Sequence, residues 1–318
     1  MNISSKLDAI ILKLRKESTR WDAILELKLL KDPAFIPPLI MLLKDRDWVV
    51  RWSVAEKLGD MKDLRAMDPL LDSLGDSDFH VIKNVQKGLV KFGPIVIASG
   101  IKRLKNRNSL LRSNIMMLIE TFGKESLSYL KAELDSNDPI ILNRVIHLIW
   151  KIGKVESEDI LVENLKNKDI QKNVIVMLGT LKSVIAIPRL IKLYEKKSHR
   201  RLILYAMKLI GAKTAFPVII QSLKNVNIKP LSEAIILRIG PAMLPYLVAT
   251  LPKKNQARIA CVRLIEKIGP EKVINDIKKL AKTNSEVRLL TQDILKKSAA
   301  KLQTKTKKKG FFSSFFGG

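Results

Sequence analysis

The sequence predicts an all-α fold, an α-solenoid of about nine to ten antiparallel helix pairs. The first observation is a recurring segment that ends in an apolar residue followed by glycine. It closes at Gly59, Gly93, Gly123, Gly153, Gly179, Gly211, Gly240 and Gly269. The second is that each interval, between 26 and 34 residues long, holds two apolar helical patterns. Self-similarity at such a period is typical of a repeat architecture.

Each glycine is predicted to be a left-handed C-cap that ends the second helix of a pair. Prolines follow at once at Pro94, Pro241 and Pro270, where proline cannot continue one helix but can begin the next. Segments at about 5–31 and 271–298 show the same apolar pattern without a closing glycine. They are interpreted as terminal caps of the array.

Aligning the chain on these glycines gives two apolar columns. The position four residues before the glycine is Ala55, Leu89, Ile119, Ile149, Ile175, Met207, Ile236 and Ile265. The position one before it is Leu58, Phe92, Phe122, Ile152, Leu178, Ile210, Ile239 and Ile268. An apolar stripe at this helical spacing faces neighbouring helices.

Two segments carry a family resemblance: IPPLIMLLKDRDWVVRWSVAEKLGD at 36–60 and AIPRLIKLYEKKSHRRLILYAMKLIG at 186–211. They resemble the HEAT-repeat family, specifically the short HEAT-like repeats of the phycobilisome-lyase type, over about residues 30–298. The resemblance implies stacked helix pairs and no particular chemistry. It also implies a loop aspartate paired with an arginine six residues on, which Asp45/Arg51 and Asp138/Arg144 fit. Asn106/Arg112 is a neutral variant.

Composition narrows the class of protein. A single cysteine excludes an internal disulfide and favours a reducing compartment, and no stretch reaches about 18 uninterrupted apolar residues, so we expect a cytoplasmic protein. The net charge is +27 and uneven: residues 1–153 hold 25 Lys and Arg against 19 Asp and Glu, and residues 154–318 hold 33 against 12. Such a field attracts anionic partners.

No catalytic constellation is recognised, and we expect a protein that is not an enzyme and has no cofactor and no metal. Deoxyhypusine hydroxylases within this superfamily hold iron with repeated His-Glu pairs, but none of His80, His147 and His199 precedes a glutamate. The three histidines also fall in non-adjacent pairs, too far apart for one metal. His147 is interpreted as packing or surface, and His80 and His199 as solvated loop residues. Cys261 is interpreted as a small core residue.

One column points to binding. Two residues before the glycine the chain carries Lys57, Lys91, Lys151, Arg238 and Lys267, which stacking would turn into a basic ridge. The alternative is local, since a cation in the last turn offsets the helix dipole. Arg200 and Arg201 add charge in the second half, and Trp150 occupies a column of charged residues and is a candidate partner contact.

The last segment differs from the rest, so the predicted organisation is a solenoid at 1–298 and a flexible basic and aromatic tail at 299–318. The tail contains Lys305, Lys307, Lys308, Lys309, Phe311, Phe312, Phe315 and Phe316. Lysines beside phenylalanines favour anchoring on an anionic membrane. A linear motif for a partner's groove, or a cap over the last helix pair, are the alternatives.

The sequence therefore predicts a non-catalytic scaffold or adaptor that binds an anionic partner or surface, with the tail as a membrane or partner tether. We expect a protein partner, with an anionic membrane surface and nucleic acid as further candidates and no small-molecule substrate. A nucleic-acid-binding HEAT-like protein is the main alternative, and a bilin-lyase-like protein a lesser one. The expected location is the cytoplasm, and peripheral attachment to the inner face of the membrane is a further candidate.

Overall fold

The structure, a computed structural model, describes residues 3–253 and 256–315, with the side chains of these except Ser4 and residues 301–315. No strand occurs within those two ranges. The chain divides into two compact units, Met1–Ser157 and Glu158–Gly318, called unit 1 and unit 2 below. The predicted all-α fold class is confirmed.

Unit 1 contains five helix pairs over its described residues. The α-helices are α1 Ile3–Leu14, α2 Arg20–Lys28, α3 Ile36–Leu42, α4 Trp48–Met61, α5 Met67–Ser73, α6 Phe79–Val90, α7 Val96–Arg103, α8 Ser109–Thr121, α9 Ser126–Ala132 and α10 Pro139–Gly153. Short 3-10 turns span Glu17–Thr19, Pro33–Phe35, Leu64–Ala66, Gly123–Glu125 and Lys154–Ser157.

Unit 2 contains five further pairs over its described residues. The α-helices are α11 Glu158–Asn164, α12 Gln171–Thr180, α13 Ile187–Leu193, α14 Arg200–Ile210, α15 Ala212–Gln221, α16 Lys229–Ile239, α17 Leu244–Val248, α18 Arg258–Ile268, α19 Ile274–Thr283 and α20 Ser285–Phe315. Its 3-10 turns span Lys197–His199, Ser222–Lys224, Gly240–Met243 and Pro270–Lys272.

Within each unit the helices form two layers. In unit 1 the second helices α4, α6, α8 and α10 pack in succession, and the first helices α5, α7 and α9 do the same. In unit 2, α13, α15 and α17 form one layer, and α12 packs on α14 and α16 on α18 in the other. This stacking of antiparallel pairs is the α-solenoid architecture that the glycine register predicts.

The core follows the predicted columns. All eight residues of the column four before the glycine are buried, as are Leu58, Leu178 and Ile210 of the other column. The remaining members of the second column are half-buried. Four second helices of unit 1 begin with aspartate or asparagine N-caps: Asp47, Asp78, Asn108 and Asp138 each accept a hydrogen bond from the backbone two residues later.

The prediction that every register glycine is a left-handed C-cap is wrong at three positions. Gly93, Gly123, Gly211, Gly240 and Gly269 have positive φ, as predicted. Gly59 instead lies inside α4, where an added Cβ would stand 2.4 Å from the Cα of Gly88 in α6. At Gly179 an added Cβ would stand 2.8 Å from the Cα of Ala206, and Gly153 is the last residue of α10. At Gly59 and Gly179 the glycine permits close helix packing rather than a turn.

One stretch of the described residues, Lys229–Val248, is long and apolar enough to cross a membrane by length and composition alone. In the structure α16 ends within it at Ile239, and Gly240 turns the chain with a φ of 71°. Ile236 and Leu247, on either side of that turn, are fully buried. The stretch therefore forms two core helices of unit 2.

The helix α20 runs from Ser285 to Phe315 and so crosses the predicted boundary at 298/299. The side chains of the tail lysines and of Phe311, Phe312 and Phe315, together with Phe316 as a whole, lie outside the described residues. The division into a solenoid and a tail stays a prediction.

Candidate anion-binding surface

The basic column of unit 1 begins with a lysine that is not on the surface. Lys57 is 5% exposed, and its Nζ donates a hydrogen bond to the carbonyl oxygen of Lys28 at 2.8 Å. Burial lowers the pKa of Lys57, although the nearby carboxylate of Asp60 raises it. Lys57 thus ties α4 to the preceding pair, and it does not fit the predicted role in an exposed ridge.

The other two lysines of this column are exposed but paired. Lys91 forms an ion pair with Asp60, and Lys151 with Glu120 at 2.8 Å. In both cases the carboxylate belongs to the preceding helix pair, close to its register glycine. Exposed ion pairs add little stability, but each one neutralises the positive charge that a ridge would need. The column of unit 1 is therefore largely compensated.

In unit 2 the same column is uncompensated. Arg238 and Lys267 are exposed, and neither forms an ion pair or a side-chain hydrogen bond with the described residues. Glu120, the partner of Lys151, lies three residues before the register glycine of the preceding pair. The same position holds Lys208 in the pair before Arg238 and Leu237 in the pair before Lys267. The sequence has thus lost the partner carboxylates there.

A groove in unit 2 adds to this positive charge. It has a volume of about 260 Å³ and lies beside α15 and α17. Its lining includes two exposed lysines, Lys224 and Lys253, together with the half-buried Tyr246. The ring of Tyr246 is held edge-on to Phe216 at 5.2 Å, which fixes that wall of the groove. The sequence did not reveal the groove, because its two lysines lie 29 residues apart.

The two candidate arginines at the start of α14 have different surroundings. Arg200 donates from Nε to the carbonyl oxygen of Tyr194 at 3.0 Å, and its guanidinium lies 5.2 Å from the centre of the Tyr194 ring. These contacts give Arg200 a packing role. Arg201 is exposed and stays a candidate for anion binding.

Trp150 is half-buried, as its column predicts. Its ring lies 5.3 Å from the imidazole of His147 at an angle of 48°. Burial lowers the pKa of His147, and the charge of Lys151 lowers it further. The pair is a packed aromatic contact on α10, and a partner contact by Trp150 stays a prediction.

Two further expectations concern single reactive groups. The prediction that His199 is solvated is wrong. Its side chain is buried, at 8% exposure, and its Nδ1 lies 2.8 Å from the hydroxyl of Ser198. Cys261 is fully buried, which confirms its core assignment, and burial raises the pKa of its thiol to about 12. Among the residues that the structure describes, no group of three or more His, Cys, Asp or Glu side chains is placed to hold a metal ion.

The loop arginines form contacts that the sequence did not reveal. Arg51 does bond within its own loop, but to the carbonyl oxygen of Asp45 at 2.8 Å rather than to its carboxylate. Its Nε and Nη2 bind the carboxylate of Asp76 in the next loop at 2.7 and 2.9 Å. Likewise Arg15 of the first pair binds the carboxylate of Asp45 at 2.7 Å. The loops of the first three pairs of unit 1 are thus linked from one pair to the next.

Arg144 corrects the second pairing that the resemblance implied. It forms no hydrogen bond with Asp138, whose carboxylate instead caps α10 through the backbone of Ile140 and Ile141. Its Nη1 is buried and lacks any hydrogen-bond partner among the described residues. The signal that could have found these relations is the spacing of the loop acceptors Asp45, Asp76, Asn106 and Ser136, which repeat every 30 or 31 residues.

Comparison with known proteins finds a similarity to HEAT repeats in the first part of the chain. Residues 6–89 match the family described as HEAT repeats, which confirms the resemblance stated above. No curated protein matches the chain. HEAT repeats generally mediate protein–protein interaction, so the family supports a scaffold or adaptor role.

Three solved structures are similar at low identity. Human deoxyhypusine hydroxylase in complex with glycerol is 18% identical with a TM-score of 0.30, covering 84% of this chain and 96% of that one. The complex of CpcE and CpcF of phycocyanin lyase from Nostoc is 15% identical with a TM-score of 0.29, covering 71% and 93%. An engineered protein is 15% identical with a TM-score of 0.18, covering 82% and 95%. None of these scores bears on function.

Proposed function

We propose that this chain is a non-catalytic scaffold or adaptor whose unit 2 binds an anionic partner. The observation that carries the proposal is the pair Arg238 and Lys267, which are exposed and uncompensated where the same register in unit 1 is paired. Free cations on a rigid helical surface attract and position anionic groups without any conformational change. The exposed Lys208, Lys224 and Lys253 supplement the charge on the same unit.

A role without catalysis is part of the proposal. The candidate reactive groups each have a packing explanation: His147 lies against Trp150, His199 bonds Ser198, and the thiol of Cys261 is held protonated by burial. A thiol with a pKa raised that far is a poor nucleophile at neutral pH.

The binding test compares two matched double variants. Arg238→Gln with Lys267→Gln and Lys91→Gln with Lys151→Gln each remove two cations from the same register position, one pair in each unit. The probes are vesicles containing phosphatidylserine, polyglutamate and a duplex DNA, at low salt. Two cations near an anionic surface contribute about 1 kcal/mol each, so the unit 2 variant should bind roughly thirtyfold more weakly.

The unit 1 variant should lose less than about threefold, because its lysines are already paired with carboxylates. Equal losses in both variants would show that only net charge matters and would refute the proposal. Binding to the DNA probe that falls steeply with salt and exceeds binding to polyglutamate would favour the nucleic-acid alternative.

The tail is proposed as a second tether, on the cytoplasmic face of a membrane. Four lysines and four phenylalanines lie between positions 305 and 316, and a basic run with apolar side chains is the two-signal combination that peripheral anchoring requires. Full-length protein should sediment with anionic vesicles but not with neutral ones, and a chain ending at Leu302 should bind the anionic vesicles more weakly. Equal sedimentation of the two chains would exclude the membrane role and leave the tail as a protein-binding motif.

A further inference from the structure

Two loops of unit 1, at Asn106 and Ser136, lack the arginine link, and only the loop at Ser136 leaves an arginine without its carboxylate. In an intact link, the loop residue accepts a hydrogen bond from the backbone two residues on and also binds an arginine of the preceding pair. Asp76 does both: it accepts from the backbone of Asp78 at 2.8 Å and binds the fork of Arg51. With 13% and 8% exposure, the two side chains are well shielded from solvent.

Asn106 shows the same arrangement without charge. Its side-chain oxygen accepts from the backbone of Asn108 at 2.9 Å, as Asp76 does from Asp78. Asn106 is neutral. In the helix pair before it, the position that corresponds to Arg51 is held by the apolar Ile82. A neutral acceptor and an apolar neighbour match, so this loop leaves no charge without a partner.

Ser136 is mismatched. Its hydroxyl accepts from the backbone of Asp138, so it holds the turn as Asp76 does. In the preceding helix pair, however, the position that corresponds to Arg51 is held by Arg112. Arg112 lies six residues after Asn106, just as Arg51 lies six residues after Asp45. Arg112 uses Nη1 on the carbonyl oxygens of Asn106 and Arg107, both at 2.7 Å. No acceptor among the described residues binds its Nε or Nη2.

A second guanidinium lies beside this open fork. Arg144 occupies a buried polar column whose other members include Asn84 and Asn114. Those two donate to the carbonyl oxygens of Trp52 and Leu74 at 3.0 and 2.7 Å. The Nη1 of Arg144 has no such acceptor. Burial lowers the pKa of Arg144 and the charge of Arg112 lowers it further, whereas the carboxylate of Asp138 raises it, so the two guanidinium groups interact with each other.

We propose that Arg112 and Arg144, beside Ser136, form a binding site for one carboxylate side chain of a protein partner. The planar fork of an arginine binds a carboxylate with two parallel hydrogen bonds, and Arg51 with Asp76 shows that geometry two helix pairs earlier in the array. The site is the space that a loop aspartate occupies in the other links. It uses residues of unit 1 alone and none of the cations of unit 2.

Two exposed apolar side chains extend the site. Leu110 is 43% exposed and Ile140 is 51% exposed, and they hold equivalent positions at the beginnings of α8 and α10, each two residues after the N-cap. The partner segment that fits is therefore an acidic residue flanked by apolar ones, with the carboxylate bound by the arginines and the apolar neighbours packed on Leu110 and Ile140.

The first test supplies the carboxylate from the chain itself. Ser136→Asp should complete the interrupted link and raise the thermal midpoint by about 2–4 °C. Ser136→Asn is the matched control, because it has the same shape and can hold the turn as Asn106 does, but it carries no charge. A rise in the midpoint that is equal in both variants, or absent from Ser136→Asp, would overturn the assignment of Arg112 as an open fork.

The second test measures binding directly. N-acetyl-aspartate amide is titrated into the full-length protein while the Nε–H resonance of Arg112 is followed by NMR, with N-acetyl-asparagine amide as the neutral control. We expect a saturable shift with the aspartate compound alone, and at least tenfold weaker binding in Ser136→Asp. Arg238→Gln with Lys267→Gln should leave the titration unchanged, which separates this site from the function proposed for unit 2.

Two results would contradict the proposal. One is a titration that does not saturate, or that is the same in Ser136→Asp as in the unaltered protein. The other comes from inorganic phosphate as a third probe: saturation by phosphate with none by the aspartate compound would identify the site as one for phosphoryl groups instead of carboxylates.

Discussion

Replacing Asp76 by serine should open a second link in unit 1 and reproduce the situation at Ser136. The hydroxyl can still hold the turn through the backbone of Asp78, as Ser136 does for Asp138. What is lost is the two charge-assisted hydrogen bonds from Arg51, at 2.7 and 2.9 Å, between side chains that are 13% and 8% exposed. Hydrogen bonds to charged groups are worth about 1.5–3 kcal/mol each.

Because Arg51 keeps its bond to the carbonyl oxygen of Asp45, the expected loss of unfolding free energy is about 2–4 kcal/mol rather than the full sum. The assay is urea denaturation of Asp76→Ser, Arg51→Met and the double variant, analysed as a double-mutant cycle. We expect a coupling energy of about 1.5–3 kcal/mol. A coupling below about 0.5 kcal/mol, the value for independent sites, would refute the reasoning that these links hold the loops together.

Three further predictions concern packing and titration. Gly59→Ala should destabilise unit 1 by about 1–3 kcal/mol in urea denaturation, because the new Cβ meets the Cα of Gly88 at 2.4 Å; Gly100→Ala, whose Cβ meets side chains at no less than 3.4 Å, should be close to neutral. Cys261 should react with a thiol reagent about a thousandfold more slowly in the folded protein at pH 8 than after denaturation, because its thiol pKa is raised to about 12. His147 has a lowered pKa, so its folded state resists protonation and stability should fall as pH drops below about 6.5. His147→Gln should flatten that part of the stability curve, and an unchanged slope would contradict this.

The helix pairs could be predicted from the sequence because they depend on local patterns. An apolar residue four before each register glycine is enough to identify the buried face, and every member of that column is buried. The caps follow the same logic, since Asp47 and Asp78 lie where a carboxylate accepts from the first backbone N–H groups. Helix propensity and capping require no knowledge of what lies across the interface.

The role of each glycine could not be predicted in the same way. Gly59 and Gly93 look alike in the alignment, since each ends an apolar segment. Gly93 turns the chain with a φ of 76°, whereas Gly59 lies in the last turn of α4 against Gly88. The difference is set by the residue that the neighbouring helix presents, and that residue is 29 positions away in the sequence. Such a tertiary contact is invisible to local reasoning.

The same limit applies to charge. The column of cations is visible in the sequence, but whether each is free depends on the residue that the preceding pair places beside it. Lys151 has Glu120, whereas Arg238 has Lys208 in the corresponding position. A count of net charge predicts that the second half attracts anions, and only the register between successive pairs indicates which cations remain available.

In both units, then, the candidate sites arise from one kind of change. A repeat array uses carboxylates of one pair to neutralise cations of an adjacent pair, and a site opens where another residue stands in place of the carboxylate while the cation is present. Ser136 beside Arg112 is such a replacement in the loops, and Lys208 before Arg238 is another in the helices. At Asn106 the position of the arginine partner is held by Ile82, so neither residue carries a charge that needs a partner. This contrast gives the reason to expect a partner carboxylate at Arg112, because an array that only needed to stack would gain stability by losing the unmatched arginine.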